Sequence, residues 1–305
     1  CTRLAGSDYP MDTKFLTLST LADQGLSLYR ANAQGGNAHV AEFIRTRDVE
    51  RYFQTTDSYG WIELGKKFII PNATFGDADG QETIYNGETE HAPQYGQGGT
   101  LKQWQDTIGT NAKHSSRVAF AVCMAFASPL LRFTNEGSGG FHLVGKSSMG
   151  KTTAIRAGVS VWGQVLEDAG EMKVSWNATG NGLELAAKSH TDLPLFIDEL
   201  GQGENARVDF EQVVYMLGNG VGKRRMTKDA KGSTLSNWRL LFLSAGEYTA
   251  AQMMERLRRR DVATGAEIRM ATIDAIPVSE ELGVFESIPK GMDAKELAAT
   301  FADFG

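Results

Sequence analysis

"GFHLVGKSSMGKTTAIRAGVSVWG", residues 140–163, decides how this chain is read. It opens as a short apolar strand, turns through a glycine-bounded loop and runs on as a helix. Inside it Gly145, Lys146, Ser147, Ser148, Met149, Gly150, Lys151 and Thr152 spell G-x-x-x-x-G-K-[ST], a phosphate-cradling pattern. Such a loop needs a strand before it and a helix behind it, because successive backbone N–H groups and the positive helix end must converge on one anion. Both neighbours are present. Gly145 and Gly150 allow backbone conformations that a Cβ would hinder, and the backbone of Ser147, Ser148 and Met149 completes the cradle. Lys151 is expected to reach the β- and γ-phosphates, Thr152 to ligate Mg²⁺ and Thr153 to contact the α-phosphate. The expected ligands are therefore ATP and Mg²⁺.

Downstream the order is regular. Strands are expected over "MKVSW" (172–176), "LPLFIDEL" (193–200), "WRLLFLSAGE" (238–247) and "EIRMATIDA" (267–275), with helices over 151–162, 180–190, 208–217 and 249–260. In the third helix Phe210, Val213, Val214 and Leu217 fall at i, i+3, i+4 and i+7. Nearly continuous apolar strands alternating with helices predict an α/β fold: a buried parallel sheet with helices on both faces.

The strand "LPLFIDEL" ends in Asp198-Glu199. Active sites in such sheets lie at the carboxyl ends of the strands. Asp198 is expected to hold Mg²⁺, and Glu199 to orient and deprotonate the attacking water. A kinase needs no water-activating Glu here, and no LSGGQ-like transporter signature is present. Ser244, in the strand between those of the loop and the acidic pair, is a candidate contact for the γ-phosphate or the lytic water; a turn or cap role fits it equally.

The segment 218–238 holds Lys223, Arg224, Arg225, Lys228 and Lys231 against the single acid Asp229. It reads as a hairpin turning at "KDAKG". Its charge is concentrated where a phosphate backbone contact would need it. By analogy, some ring-shaped ATPase motors, superfamily-three helicases among them, place a pore-lining hairpin at this point of the fold. "ERLRRRDVATGAEIRM" adds Arg256, Arg258, Arg259, Arg260 and Arg269. Arg269 and Arg260 are the first candidates for an arginine supplied in trans to a transferring phosphoryl group.

Composition sets the outer limits. The 305 residues are 41% hydrophobic and 22% charged, ordinary for a globular chain. The net charge of −6 means that nucleic acid would have to be held by a local basic patch. Two cysteines, Cys1 and Cys123, form neither a zinc ribbon nor a disulfide framework and fit a reducing cytoplasm. The apolar run 118–131 is too short to span a bilayer and reads as a buried helix, so no membrane partner is expected. The chain starts at Cys1 rather than Met, and a segment of a longer protein is expected.

Before the loop the pattern is weaker. Residues 37–53 show a roughly helical period, 60–71 suggests a hairpin closed by Pro71, and 72–100 looks like loops around one short strand. Thr100 is placed to cap a helix, and a second helix is expected over 114–131, ending near Pro129. The expected division is a small mixed α+β region with linker (1–99), an ATPase core with a helical lead-in (100–276) and a C-terminal tail or the start of a further segment (277–305).

The blocks "WNATGNGLELAA", "LPLFIDELGQ", "VVYMLGNGVGKRRM", "NWRLLFLSAGE" and "GAEIRMATIDAIPVSEELGVFE", in this order after the loop and with "FIIP" and "TLKQWQDTIG" before it, resemble the domain-of-unknown-function family numbered 927 over about residues 60–287. Lys151, Asp198, Glu199, the Lys223-Arg224-Arg225 run and Arg269 all fit its pattern. Members occur in bacterial prophages, plasmids and other mobile elements, often beside primase-like domains, and are usually described as helicases or ATPases. The resemblance implies a bacterial or phage-encoded, cytoplasmic, AAA+-like P-loop ATPase. The expectation is a hexameric ATP-driven DNA translocase or helicase in mobile-element replication, acting on single-stranded DNA and partnered by a primase. The alternative is a non-helicase NTPase switch that loads or regulates a primase or acts in defence.

Overall fold

A computed structural model of the protein describes residues 53–76, 82–86, 95–163, 173–176, 178–200, 210–222, 236–256 and 268–303. The helical period of 37–53, except Phe53, which opens a strand, and the basic residues 223–231 lie outside them. The chain divides into two compact units, Cys1–Thr89 and Glu90–Gly305.

In the first unit, β2 (Gly60–Ile62) and β3 (Lys67–Ile70) form the expected antiparallel hairpin. A third strand, β4 (Ala73–Gly76), extends it beyond Pro71. Separately, β1 (Phe53–Thr56) pairs in parallel with β5 (Glu82–Tyr85). Tyr59 stacks on Tyr85 with ring centroids 4.3 Å apart.

The second unit is built on five parallel strands: β6 (Gly139–Val144), β7 (Lys173–Ser175), β8 (Leu195–Leu200), β9 (Leu241–Gly246) and β10 (Met270–Asp274). Their order across the sheet is β10-β6-β9-β8-β7. β9 thus lies between the glycine-lysine loop's strand and the acidic strand. Val144 pairs with Gly246 and Asp274, so the carboxyl ends gather along one edge.

Helices cover both faces. On one, α1 (Ser116–Ala127) packs on α2 (Lys151–Val159), burying Val118, Ala121 and Ala125 with Ala154 and Ile155. On the other, α3 (Gly180–Ser189) and α4 (Phe210–Asn219) enclose Leu195, Ile197 and Phe242 together with Trp176 and Trp238. Phe196, between Leu195 and Ile197, points instead toward Gly158 of α2, the period-2 alternation of a strand covered on both sides. Burying a large apolar side chain contributes roughly 1.5–3 kcal/mol, so these two layers dominate the stability of the unit.

Local signals explain where elements start. Thr100 and Gln103 form a capping box at helix Leu101–Trp104. Ser115 caps α1 by accepting from the Val118 N–H, and Thr179 caps α3 through Gly182. The chain does not stop at Pro129: a 3₁₀ turn, Ser128–Leu130, continues into helix Leu131–Thr134. Proline is tolerated there because its missing N–H falls in the first turn of a new segment. The helical stretch Ser116–Thr134 is long and apolar enough to cross a membrane by length and composition, but its buried face is packed on α2.

The segment after β10 is folded into the same unit. α5 (Ala250–Arg256) precedes β10 and α6 (Ala294–Asp303) follows it, with α6 resting on α2. Asp293 caps α6 by accepting from the N–H groups of Lys295 and Glu296, while Glu296 accepts from the Asp293 N–H.

Candidate nucleotide site

The loop that leaves β6 is tied to the neighbouring strand. The Gly145 N–H donates to the Gly246 carbonyl at 3.1 Å, tying the loop to the end of β9. Ser148 and Gly150 then adopt left-handed conformations, with φ of +62° and +86°. No side chain caps α2 at Gly150, so its first-turn N–H groups face the loop's concavity. The Lys151 ammonium folds back and donates to the carbonyls of Gly145 (2.8 Å) and Lys146 (2.6 Å). Burial holds its pKa below the usual lysine range, while the charges of Glu247 and Asp198 act against that shift.

Thr152 donates to Asp198 at 3.1 Å. That bond joins the first turn of α2 to the end of β8 across the sheet edge. Asp198 is buried. Beside it the pairing of β8 with β9 shifts register between Ile197 and Leu200, and such bulges re-aim side chains near functional sites. The Glu199 backbone belongs to this irregularity; its side chain lies outside the described residues.

A cavity of about 580 Å³ opens over these groups, lined by Ser147–Thr153, Asp198 and Glu247 on one side. Its far wall is the C-terminal segment, Glu280–Phe285 with Ala294, Lys295 and Ala298. The volume falls within the roughly 300–1,000 Å³ of ligand pockets. Wall and loop interlock at two glycines. A Cβ on Gly150 would lie 2.8 Å from Val284 Cγ2, and one on Gly283 (φ +59°) would lie 2.8 Å from the Met149 carbonyl oxygen. The wall is anchored to α1: Ser115 Oγ donates to the Val284 carbonyl at 2.6 Å, and the Ser116 N–H donates to Glu286 at 2.8 Å. Lys146 also pairs with Glu280.

Ser244 does not line this cavity. Its hydroxyl is fully buried in mid-strand, accepting from Trp176 Nε1 at 2.8 Å and lying 3.0 Å from His142 Nδ1. His142 Nε2 lies 2.9 Å from the Tyr248 carbonyl. A carbonyl only accepts, so Nε2 carries the proton and the bare Nδ1 accepts from the Ser244 hydroxyl. Burial pushes the His142 pKa down to about 4, which keeps the ring neutral.

Arg269 is just ahead of β10, at the opposite end of the sheet from the loop. Its guanidinium sits 4.3 Å from the centre of the Tyr215 ring, and its Nε donates to Asn219 at 2.9 Å. Five residues of strand place it roughly 17 Å from Gly145. Arg260 and Lys223, Arg224, Arg225, Lys228 and Lys231 lie outside the described residues. The described residues on either side of 223–235 pair: Val221 is antiparallel to Asn237, and the Gly222 N–H donates to the Ser236 carbonyl at 2.7 Å. Among the described residues no group of three or more His, Cys, Asp or Glu forms a metal cluster.

The sequence reading missed Glu247 and the C-terminal wall. Glu247 was within reach of the pattern, as the residue following the last apolar position of "LLFLSAG".

The two buried histidines carry a stability prediction. His190, buried at the end of α3 with Nδ1 donating to the Ala186 carbonyl, is also pushed down to about 4. Both pKa values lie below the unfolded value near 6.5, so the unfolded chain binds protons first as pH falls. The neutral rings leave stability intact above about pH 6.5, and it declines between 6.5 and 4. The loss reaches about 2 kcal/mol per histidine by pH 5. Urea unfolding at pH 7 and pH 5 checks this: His142→Gln should remove about half of the decline, and an unchanged slope contradicts it.

The chain belongs to the family Domain of unknown function (DUF927), whose model matches residues 11–234. The match reaches further toward the N-terminus than the motifs do, and ends inside the basic segment 218–238. No curated protein sequence matches the chain. Among solved structures it is similar to "SCCmec type IV Cch - active helicase", at 19% identity and a TM-score of 0.63, over 93% of this chain and 50% of that one. The chain therefore spans about half the length of that helicase, and the likeness is one of fold. The NrS-1 C-terminal region superposes only loosely, at 10% identity and a TM-score of 0.32, over 88% of this chain and 57% of that one.

Proposed function

We propose that this DUF927 member is a P-loop ATPase that works as a hexameric, ATP-driven DNA translocase or helicase. The observation that carries the reading is the Thr152–Asp198 hydrogen bond beside the Lys151 loop, at the mouth of one cavity. It gathers a phosphate cradle, a cation and a hydroxyl–carboxylate pair at a single sheet edge. Thr152 and Asp198 suit Mg²⁺, which takes one or two protein oxygens and fills its remaining positions with phosphate and water. When bound, the ion neutralises charge on the β- and γ-phosphates.

The protein's own groups do the rest. The first-turn N–H groups of α2 and the Lys151 ammonium hold the phosphates, and Asp198 fixes the Thr152 hydroxyl. Glu199 draws the proton from the attacking water. Arg269, at the far end of its own sheet, serves the site of a neighbouring protomer, which favours a ring. The fold likeness to an active helicase supports DNA as the partner. The basic hairpin between α4 and β9 is the element to grip a single strand, and a primase is the natural companion. Such an enzyme acts in the cytoplasm, on bacterial or phage replication intermediates.

Neutralising Lys223, Arg224 and Arg225 together tests the motor reading. DNA-stimulated ATP hydrolysis should fall at least tenfold, and the salt slope of DNA binding should drop by about 3, one per lost phosphate contact. Basal hydrolysis should persist. If DNA stimulates the triple variant as it does the wild type, the translocase is wrong and an NTPase switch is the better description.

A further inference from the structure

Glu247 is the first residue beyond β9, and it is clamped on both sides. The carbonyl of Gly246 before it accepts from the Gly145 N–H, and the carbonyl of Tyr248 after it accepts from His142 Nε2. Both clamps lead to β6, the strand that delivers the loop. The second continues as a chain: Trp176 Nε1 donates to Ser244, Ser244 to His142, and His142 to Tyr248. It crosses the sheet from the end of β7 to the turn that carries Glu247; the first two links are buried and the last, to Tyr248, partly so. Three polar groups are tolerated inside an apolar sheet because each is hydrogen-bonded, and a buried chain so satisfied rigidifies what it joins. What they fix is a two-residue turn with an exposed carboxylate at its tip.

That carboxylate lines the cavity together with Lys151, Thr152 and Asp198. It also lines a second hollow, of about 500 Å³, on the other side of Lys146 and Ser147. It is thus reachable from solvent and from the phosphate end of the cavity at once. Its charge is the leading one favouring the Lys151 ammonium, ahead of Asp198.

We propose that Glu247 orients the attacking water at the terminal phosphate, and that the Trp176–Ser244–His142 chain is the positioning device that holds it there. The inference rests on the hydrolase reading above. In the step it serves, the water oxygen forms a bond to the γ-phosphorus while the bond from that phosphorus to the bridging oxygen breaks. The electron pair leaves with ADP, and the water proton passes to Glu199 and then to solvent. Glu247 accepts a hydrogen bond from the second water hydrogen and takes no proton. Ser244 then acts through His142, not by touching phosphate.

Four variants decide it, read by steady-state hydrolysis and by binding of a fluorescent ATP analogue. Glu247→Ala, which removes the acceptor, should lower kcat by about 10- to 100-fold, as loss of orientation does, with analogue affinity within about twofold of wild type. Glu247 is exposed, so this variant should fold. His142→Asn keeps an acceptor for Ser244 but cannot reach Tyr248, and should lose about tenfold in kcat at unchanged affinity. His142→Gln restores a donor at the Nε2 position and should recover most of that rate. Packing loss alone would affect the two histidine variants alike, and equal rates overturn the positioning role. A wild-type kcat in Glu247→Ala, with Lys151→Ala inactive, overturns the water-orienting role while leaving the hydrolase intact. A wild-type protein that binds the analogue but does not hydrolyse ATP overturns both.

Discussion

Lys151→Ala should abolish measurable ATP binding, lowering affinity by about 10²- to 10³-fold, without destabilising the ligand-free protein. The two halves of this expectation have different causes. The ammonium donates to two loop carbonyls, Gly145 and Lys146, and sits where burial already disfavours its charge. With a triphosphate in the cradle it exchanges these neutral acceptors for anionic ones. Hydrogen bonds to charged groups are worth roughly 1.5–3 kcal/mol each, and one or two of them account for the affinity lost. Without nucleotide, removing a partly desolvated cation removes a cost as well as two bonds, and the freed carbonyls on this open loop can turn to water. Thermal unfolding separates the two. The wild type should gain stability with ATP and Mg²⁺ as RT ln(1 + [ATP]/Kd) requires, about 2.7 kcal/mol at a hundredfold excess over Kd. Lys151→Ala should start from the same midpoint and gain nothing. An ATP-dependent shift of wild-type size in this variant would mean that the loop does not hold phosphate.

The loop, its strand and its helix were legible because each is fixed by residues adjacent in sequence: two glycines, Gly150 among them with a positive φ, an apolar run before them, a helical face after. The strand "LPLFIDEL" was legible for a similar reason, since residues buried on both faces leave no polar alternation. The order β10-β6-β9-β8-β7 was not. Parallel neighbours are joined by crossovers, and nothing local in β6 states that β9 and β10 will flank it. β4 escaped notice because Thr74, Phe75 and Gly76 are exposed, so the strand buries too little to show a pattern. Ser244 and His142 did carry a signal: each is a lone polar residue in an otherwise apolar buried strand, and two such residues need a partner. They are each other's partner, in direct register across β6 and β9. The C-terminal wall announced its helix by Asp293 and Glu296, a capping pair. Its approach to the loop depends on Gly283 meeting Met149, a contact between residues 134 positions apart that no local pattern encodes.

Glu199→Gln should leave ATP binding intact and reduce turnover by about 10²- to 10³-fold, the scale of a lost general base. The amide keeps the shape of the carboxylate and can still hold a water, but it cannot take the water's proton. Asp198 beside it should behave differently, because it is engaged with Thr152 at 3.1 Å and stands at the expected Mg²⁺ position. Asp198→Asn weakens the hold on the ion, so its defect should appear in the Mg²⁺ concentration needed for tight binding and should lessen as Mg²⁺ is raised. Glu199→Gln should be insensitive to Mg²⁺ and should accumulate bound, uncleaved ATP, seen by quantifying nucleotide in the protein after gel filtration. The pair of carboxylates is thereby divided by what each variant loses, affinity for the ion in one and proton transfer in the other. The register of β8 against β9 shifts between Ile197 and Leu200, where the two carboxylates stand in the sequence. If Glu199→Gln turns over at the wild-type rate while Glu247→Gln is the variant that traps ATP, the base is Glu247.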